Sequence, residues 1–198
     1  MMVQIDQPAE RTPFYPPKET QYWTTVRSPL GALTLLSNGE ALTGLYLPTN
    51  HRQPPVLATL GEDRAPFSEA IRQIEAYFDH GLTAFALPLA PSGSAFQLLV
   101  WQALVTIPYG ETRSYGAVAR LLGAPKAGRA VGQANARNPL ALIVPCHRVI
   151  GSSGQLTGYA SGLDQKQWLL SHEGAPFGAH GLVAAAQPTH SAPVRAQS

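Results

Sequence analysis

An internal disulfide is impossible in this chain of 198 residues, because it holds a single cysteine, Cys146. One cysteine also cannot supply a cysteine-rich zinc cluster, so the fold must rest on packing, and a reducing compartment suits it. Long apolar runs are missing as well: no stretch approaches the roughly 18 consecutive apolar residues of a membrane span. The opening "MMVQIDQPAERTPFYPPKET" has acids and prolines where a signal peptide has a basic start and an apolar core. The expectation is a soluble, cytoplasmic protein with no membrane partner. Acidic residues are scarce in one segment: between Tyr109 and Ile150 stand Arg113, Arg120, Lys126, Arg129, Arg137 and Arg148 against Glu111 alone. That segment carries +5 in a chain of net +2, leaving −3 elsewhere, which is the footprint of a phosphate-binding surface. A solvated basic face without a partner would give the same count.

What is present organises into two units. Apolar residues make up 44% of the chain, enough to core one domain or two small ones. Residues 1–20 and 178–198 are rich in Pro, Ala, Ser and Gln without a sustained apolar period, and read as mobile tails. Residues 21–92 read as a small α+β domain. Three β-prone runs between Gln21 and Leu47 are punctuated by Pro29 and Gly31 and by a tight turn at Asn38-Gly39. A helix follows with Ile71, Ile74 and Phe78 on one face and Gly81 as its C-terminal cap. The Pro- and Gly-rich "LPLAPSGS" reads as a linker with the boundary near residue 92.

Residues 93–177 read as mainly helical. Ser94 with Gln97 fits a capping box, and Phe96, Leu99, Val100, Ala103 and Leu104 keep helical spacing up to Pro108. A Ser114 cap, a helix through Val118, Leu121 and Leu122, a break at Gly123 to Pro125 and a second helix to about Asn135 give a helix-turn-helix pattern. Ala127, Gly128, Ala130, Gly132 and Ala134 make the second helix nearly flat, with Arg129 standing out from it. Such a face can lie close against a sugar-phosphate wall.

The lone thiol sits in "IVPCHRVIGSSG", directly before His147 and Arg148. A free cysteine is commonly a small buried hydrophobe. A nucleophilic one needs its thiolate, which a neighbouring base or cation supplies. Downstream, "LDQKQWLLSHEGAPF" reads as a last helix with Glu173 at its C-terminal end, where the helix dipole disfavours a carboxylate by some tenths to about 1 kcal/mol. Orienting a histidine so that its other nitrogen takes a thiol proton is a role that offsets this. Cysteine, histidine and carboxylate also serve hydrolases and acyltransferases, so the triad alone does not choose a reaction. A basic helix-turn-helix about 20 residues upstream favours an enzyme acting on a base in DNA.

"PCHRV" at Pro145 to Val149, preceded by "ARNPLALIV" and followed by "GYASGL" and "WLLSHEG", resembles the O6-alkylguanine-DNA alkyltransferase family, closely over residues 93–175 and in layout over 21–92. The resemblance implies direct reversal of DNA alkylation, with the alkyl group moved from guanine O6, or less efficiently thymine O4, to the cysteine sulfur in a single turnover. It implies Cys146 as acceptor, His147 as water-mediated base and Glu173 as the group orienting that histidine. Asn138 would brace the helix-turn-helix against the active-site segment. Arg129 would enter the stack through the minor groove of double-stranded DNA, and Tyr115 would crowd the 3′ phosphate, read the base with its hydroxyl and donate a proton to it. Ala127, Ala130, Ala134 and Arg148 would contribute to the DNA face. The pocket would use backbone carbonyls of Cys146 and Val149, the wall of Tyr159 and a backbone donor near Ala160, where some relatives carry serine. No cofactor and no metal is expected, the zinc-holding N-terminal cysteines of some relatives being absent, and the protein is expected to be a monomer in solution, with cooperative binding on DNA left open. The rival readings are a damage sensor that flips the lesion without chemistry, which the cysteine argues against, a transcription regulator and a Cys-His hydrolase.

Overall fold

The alternation of apolar residues after Gln21 builds a sheet. Tyr22–Ser28 (β1), Gly31–Ser37 (β2) and Leu42–Tyr46 (β3) pair antiparallel in sequence order, with Val26, Leu33, Leu35 and Leu45 on the buried side. The computed structural model describes residues 14–50 and 57–178, so the tail expectations for 1–13 and 179–198 lie outside the described residues. The β2–β3 connection is wider than a tight turn: Ser37 pairs with Leu42, and the Asn38 side chain accepts from the N–H groups of Glu40 and Ala41, at 2.9 Å each. A short strand unforeseen in the sequence, Gly61–Glu62 (β4), pairs parallel with β1 and completes the order β3-β2-β1-β4.

Helix Ser68–Phe78 (α1) buries Ile71 and Ile74 as its spacing requires, but its third anchor is Tyr77, with Phe78 only partly buried. Tyr77 is preferred there because its hydroxyl finds a buried carboxylate, described below. The helix does not end on a left-handed Gly81. His80 takes that conformation, at φ 58°, and the Gly81 N–H bonds to the Ala76 carbonyl at 2.8 Å.

Helix Ala95–Val105 (α2) starts with the expected reciprocal box, both the Ser94 and Gln97 bonds being formed. Its buried stripe is rotated from expectation: Val100, Trp101, Ala103 and Leu104 are buried, whereas Leu99 is 53% exposed. Trp101 wins that place because its indole N–H donates to the Ala134 carbonyl at 2.9 Å while the ring fills the core. Tyr115–Leu121 (α3), capped by Ser114, and Gly128–Ala136 (α4) pack on each other across residues 122–127. Arg113–Ser114 (β5) pairs parallel with Val149–Ile150 (β6), and Leu163–His172 (α5) closes the described chain.

The fold is therefore α+β, with a small sheet and helix followed by helices. The segment read as a linker is strapped down: Leu87, Leu89 and Ala90 are buried, and Leu42 exchanges backbone bonds with Pro88 and Ala90. Residues of the expected N-terminal tail join this strap, the Tyr15 N–H reaching the Leu89 carbonyl at 2.7 Å. One continuous cluster of buried residues runs from Val26 to Leu169 across both halves.

Candidate active site

The thiol segment is held by its own apolar run and by the sheet. Every residue from Leu140 to Ile150 is buried. Leu45 of β3 donates to the Pro139 carbonyl at 2.8 Å and accepts from Ala141 at 3.1 Å, stitching this segment to the N-terminal half. Asn138, just past α4, donates to the Val144 carbonyl at 2.8 Å and accepts from the Leu140 N–H at 3.0 Å. It thus ties the end of α4 to the residues before the cysteine. Cys146–Arg148 then form one 3₁₀ turn, which sends the three successive side chains in different directions.

Cys146 is 5% exposed, and burial raises its thiol pKa, opposed by the Asn138 amide, the Lys166 ammonium and the Tyr159 hydroxyl. His147 is fully buried. Its Nε2 lies 2.9 Å from Glu173 Oε1, and Nδ1 has no hydrogen-bond partner. Burial pushes the imidazole pKa down, with the Glu173 charge pulling the other way. A carboxylate partner makes Nε2 the donor, so Nδ1 is left as an acceptor.

Glu173 lies at the end of α5, where the dipole disfavours it, but it is densely solvated by protein. Oε1 accepts from the Tyr77 hydroxyl at 2.7 Å and from Arg148 Nη2 at 2.9 Å in addition to His147; Oε2 accepts from Arg148 Nε at 2.8 Å. Burial alone would raise its pKa, but the hydrogen bonds from His147 and Arg148 outweigh it and hold the carboxyl well below the usual range. Arg148 is 6% exposed, gives a further bond to the Ile107 carbonyl at 2.7 Å and stacks over the Tyr109 ring. The expectation that Arg148 belongs to the DNA face is therefore corrected: a guanidinium without water needs a bidentate carboxylate, and it faces inward to reach one.

Lys166 of α5 is fully buried, and its ammonium donates to the Val149 carbonyl at 2.6 Å and the Thr157 carbonyl at 2.8 Å. Burial lowers its pKa to about 8, against the pull of the Cys146 charge. Tyr115 donates to the same Thr157 carbonyl at 3.3 Å, and burial raises its pKa. A cleft of about 10 Å³ opens beside the sulfur, lined by Cys146, Asn135, Asn138, Tyr159, Ala160 and Asn50 among others. That is room for about one water. The Tyr159 hydroxyl is buried near the Cys146 thiol, and Thr49 donates to the Ser161 carbonyl at 2.6 Å, so the N-terminal half touches the loop that walls the cleft.

Asn138, Tyr159 and Ala160 thus share the cleft with Cys146, Glu173 holds His147 of the same turn, and Val149 and Tyr115 are tied in through Lys166 and the Thr157 carbonyl. Arg129, Ala130 and Ala127 lie on the outer side of α4, Arg129 and Ala130 exposed and Ala127 partly so. Ala134 does not share that face. It is 2% exposed and packs inward with its carbonyl on Trp101, because it falls on the same side of α4 as Val131. With Arg148 inside, the exposed cations of the basic segment are Arg113, Arg120, Lys126, Arg129 and Arg137, and Arg113 is paired with Glu111 at 2.7 Å. Tyr77, Lys166, Asn135 and Asn50 were not legible as site residues. The only local signal was a lysine at an inward position of the last helix.

Two family models match the chain: 6-O-methylguanine DNA methyltransferase, ribonuclease-like domain, over residues 21–91, and 6-O-methylguanine DNA methyltransferase, DNA binding domain, over residues 95–175. A methylated-DNA--protein-cysteine methyltransferase of Mycobacterium leprae is 55% identical over 146 residues, 74% of this chain and 88% of that protein. One of Methanosarcina acetivorans is 51% identical over 154 residues, 78% of this chain and 99% of that protein. Among solved structures, Mycobacterium tuberculosis OGT in complex with DNA is similar at a TM-score of 0.74 and 50% identity, covering 78% of this chain and 95% of that one.

Proposed function

The chain belongs to the 6-O-methylguanine DNA methyltransferase family, and from that premise we propose that it repairs alkylated DNA by moving the alkyl group from guanine O6 to its own Cys146 in a single turnover. The observation that carries this reading is a buried thiol that shares one 3₁₀ turn with a buried histidine whose Nε2 is held by a carboxylate.

Chemistry needs the thiolate, which burial disfavours at rest. His147 takes the thiol proton on Nδ1, directly or through one water. The growing positive charge on the imidazole is stabilised by Glu173, held ionised by Arg148. The sulfur then attacks the alkyl carbon. The S–C bond forms as the C–O6 bond breaks, the electron pair of the broken bond stays on the purine, and the Tyr115 hydroxyl supplies a proton to the ring. Lys166 steadies the thiolate by its charge and fixes the carbonyls of Val149 and Thr157 at the two ends of the pocket loop. A thioether is a poor leaving group, so Cys146 is consumed.

DNA is engaged by the outer side of α4 through its minor groove. Ala127 and Ala130 allow close approach, Arg129 replaces the extruded nucleotide, and Arg120, Lys126 and Arg137 meet phosphates. Extruding a base costs a few kcal/mol, less where alkylation has weakened its pairing. The cleft is too small for a purine as it stands, so entry moves the Tyr159–Ser161 wall outward.

The test is the intact mass after incubation with a duplex carrying one O6-methylguanine, beside Cys146→Ser. One added methylene on the wild type alone is expected. Lesion binding without an adduct would instead make the protein a damage sensor.

A further inference from the structure

Glu173 Oε1 carries one hydrogen bond more than its orientation requires. Arg148 fixes the carboxylate plane by a fork, with Nε on Oε2 at 2.8 Å and Nη2 on Oε1 at 2.9 Å. His147 Nε2 lies 2.9 Å from Oε1, and the Tyr77 hydroxyl donates to that same oxygen at 2.7 Å. Tyr77 belongs to α1, 96 residues from its partner, and is held in place independently of it. Its carbonyl accepts from His172 Nε2 at 2.9 Å, and its ring packs against Phe85, Tyr109 and His172. Tyr109 and His172 also face the carboxylate, and Lys166 faces the histidine. The Tyr109 hydroxyl donates to the His172 carbonyl and the His172 ring to Tyr77, while the Gly110 N–H reaches Oε2 at 3.4 Å, so none of these competes for Oε1.

A donor on an ionised carboxylate stabilises the charge where it stands, and several donors on one oxygen share its capacity to accept. The phenol at 2.7 Å therefore draws off part of the charge that would otherwise stabilise an imidazolium at His147. We infer that Tyr77 is a positioning residue through which the N-terminal half restrains the nucleophile: its hydroxyl shares Oε1 with His147, weakens the hold of the carboxylate on the imidazole N–H and keeps the resting Cys146 less ionised. The inference rests on the His147–Glu173 relay of the methyl-transfer reading. Arg148 keeps the carboxylate ionised and oriented with or without the phenol, so loss of the hydroxyl changes the basicity of His147 rather than its place. The thiolate–imidazolium pair then forms more readily.

The test follows alkylation of Cys146 by iodoacetamide across the acid and neutral range. In Tyr77→Phe, which keeps the ring and its packing, the rate at neutral pH is expected to rise about threefold to tenfold. The acid limb of the profile, set by His147, should move up by about half to one pH unit. A tyrosine that only braced the fold would give a slower or unchanged rate and leave the acid limb in place. The protein carrying 3-fluorotyrosine at position 77 has a more acidic phenol that donates more strongly, so both quantities should move the other way; where the phenylalanine chain does not fold, this protein carries the test by itself. A slower phenylalanine variant with an unmoved acid limb overturns the inference, and so does a fluorotyrosine profile that superimposes on the wild type. Iodoacetamide needs no DNA, so the two readings fail separately: both shifts present, with no methyl transfer from an O6-methylguanine duplex, would overturn the methyl-transfer reading alone.

Discussion

Glu173 accepts from three side chains, His147, Arg148 and Tyr77, at a helix end whose dipole opposes its charge. Replacing it with glutamine keeps the shape but removes the charge that Arg148 and His147 both need. Leaving a buried guanidinium unpaired costs about 3–5 kcal/mol. Glu173→Gln should therefore lower the denaturation midpoint and slow alkylation of Cys146 by iodoacetamide at neutral pH; an unchanged alkylation rate would count against the relay. Lys166→Met separates charge from packing at the same sulfur. Losing the cation should raise the midpoint of the thiol's pH-reactivity profile by about one pH unit, and a profile that stays put would leave Lys166 only its grip on the loop carbonyls. Cys146, His147 and Glu173 were legible because a short motif and a helix end name them. Tyr77 was not, since its partner lies 96 residues away and a tyrosine on an apolar face reads as core. Arg148 was misread for a related reason: the carboxylate that turns it inward lies on another element.

At the scale of elements, local signals were sufficient wherever they were self-contained. The Ser94 and Ser114 caps form as read, because each is closed within three residues. The stripes of α1 and α2 came out rotated, with Tyr77 and Trp101 as anchors, because each ring delivers a polar atom to a partner on another helix or its end, which periodicity cannot report. Strand β4 was invisible as two residues paired to a distant strand. On α4 the outward residues are Arg129 and Ala130 while Val131, Ala134 and Asn135 face in, so one helix serves both the outer surface and the cleft. Arg129→Ala should accordingly slow repair in duplex DNA while leaving reaction with a free O6-alkylguanine base near the wild-type rate, and should flatten the salt dependence of DNA affinity by about one phosphate contact. Equal slowing in both assays would remove the finger role.

For the whole molecule the consequence is linkage, because the site shares one core with the sheet. On the acid side two groups act in the same direction. The folded pKa of His147 lies below its usual value and that of Glu173 lies below the carboxylate range. The unfolded chain therefore binds protons first, near pH 6.5 for the histidine and about 4.3 for the glutamate, and stability falls as pH falls through each window. On the alkaline side two groups at the sulfur oppose each other, while Tyr77, Tyr115 and Tyr159, raised by burial, add a loss of stability as the unfolded chain ionises toward about pH 10. Lys166, at about 8 when folded, gives up its proton before the unfolded lysine does near 10.4, so its contribution rises with pH between those values. Burial raises the folded Cys146 thiol, so the unfolded chain ionises first, near 8.5, and that contribution falls with pH. The two slopes are opposite in sign, so the wild-type urea midpoint should change less between pH 7.5 and 9.5 than that of a variant lacking either group. Cys146→Ala should gain stability over that interval, and Lys166→Met should lose it. The same slope in both variants would mean that the ammonium and the thiol do not titrate against each other, and the electrostatic share of Lys166 in activating the sulfur would fall with it.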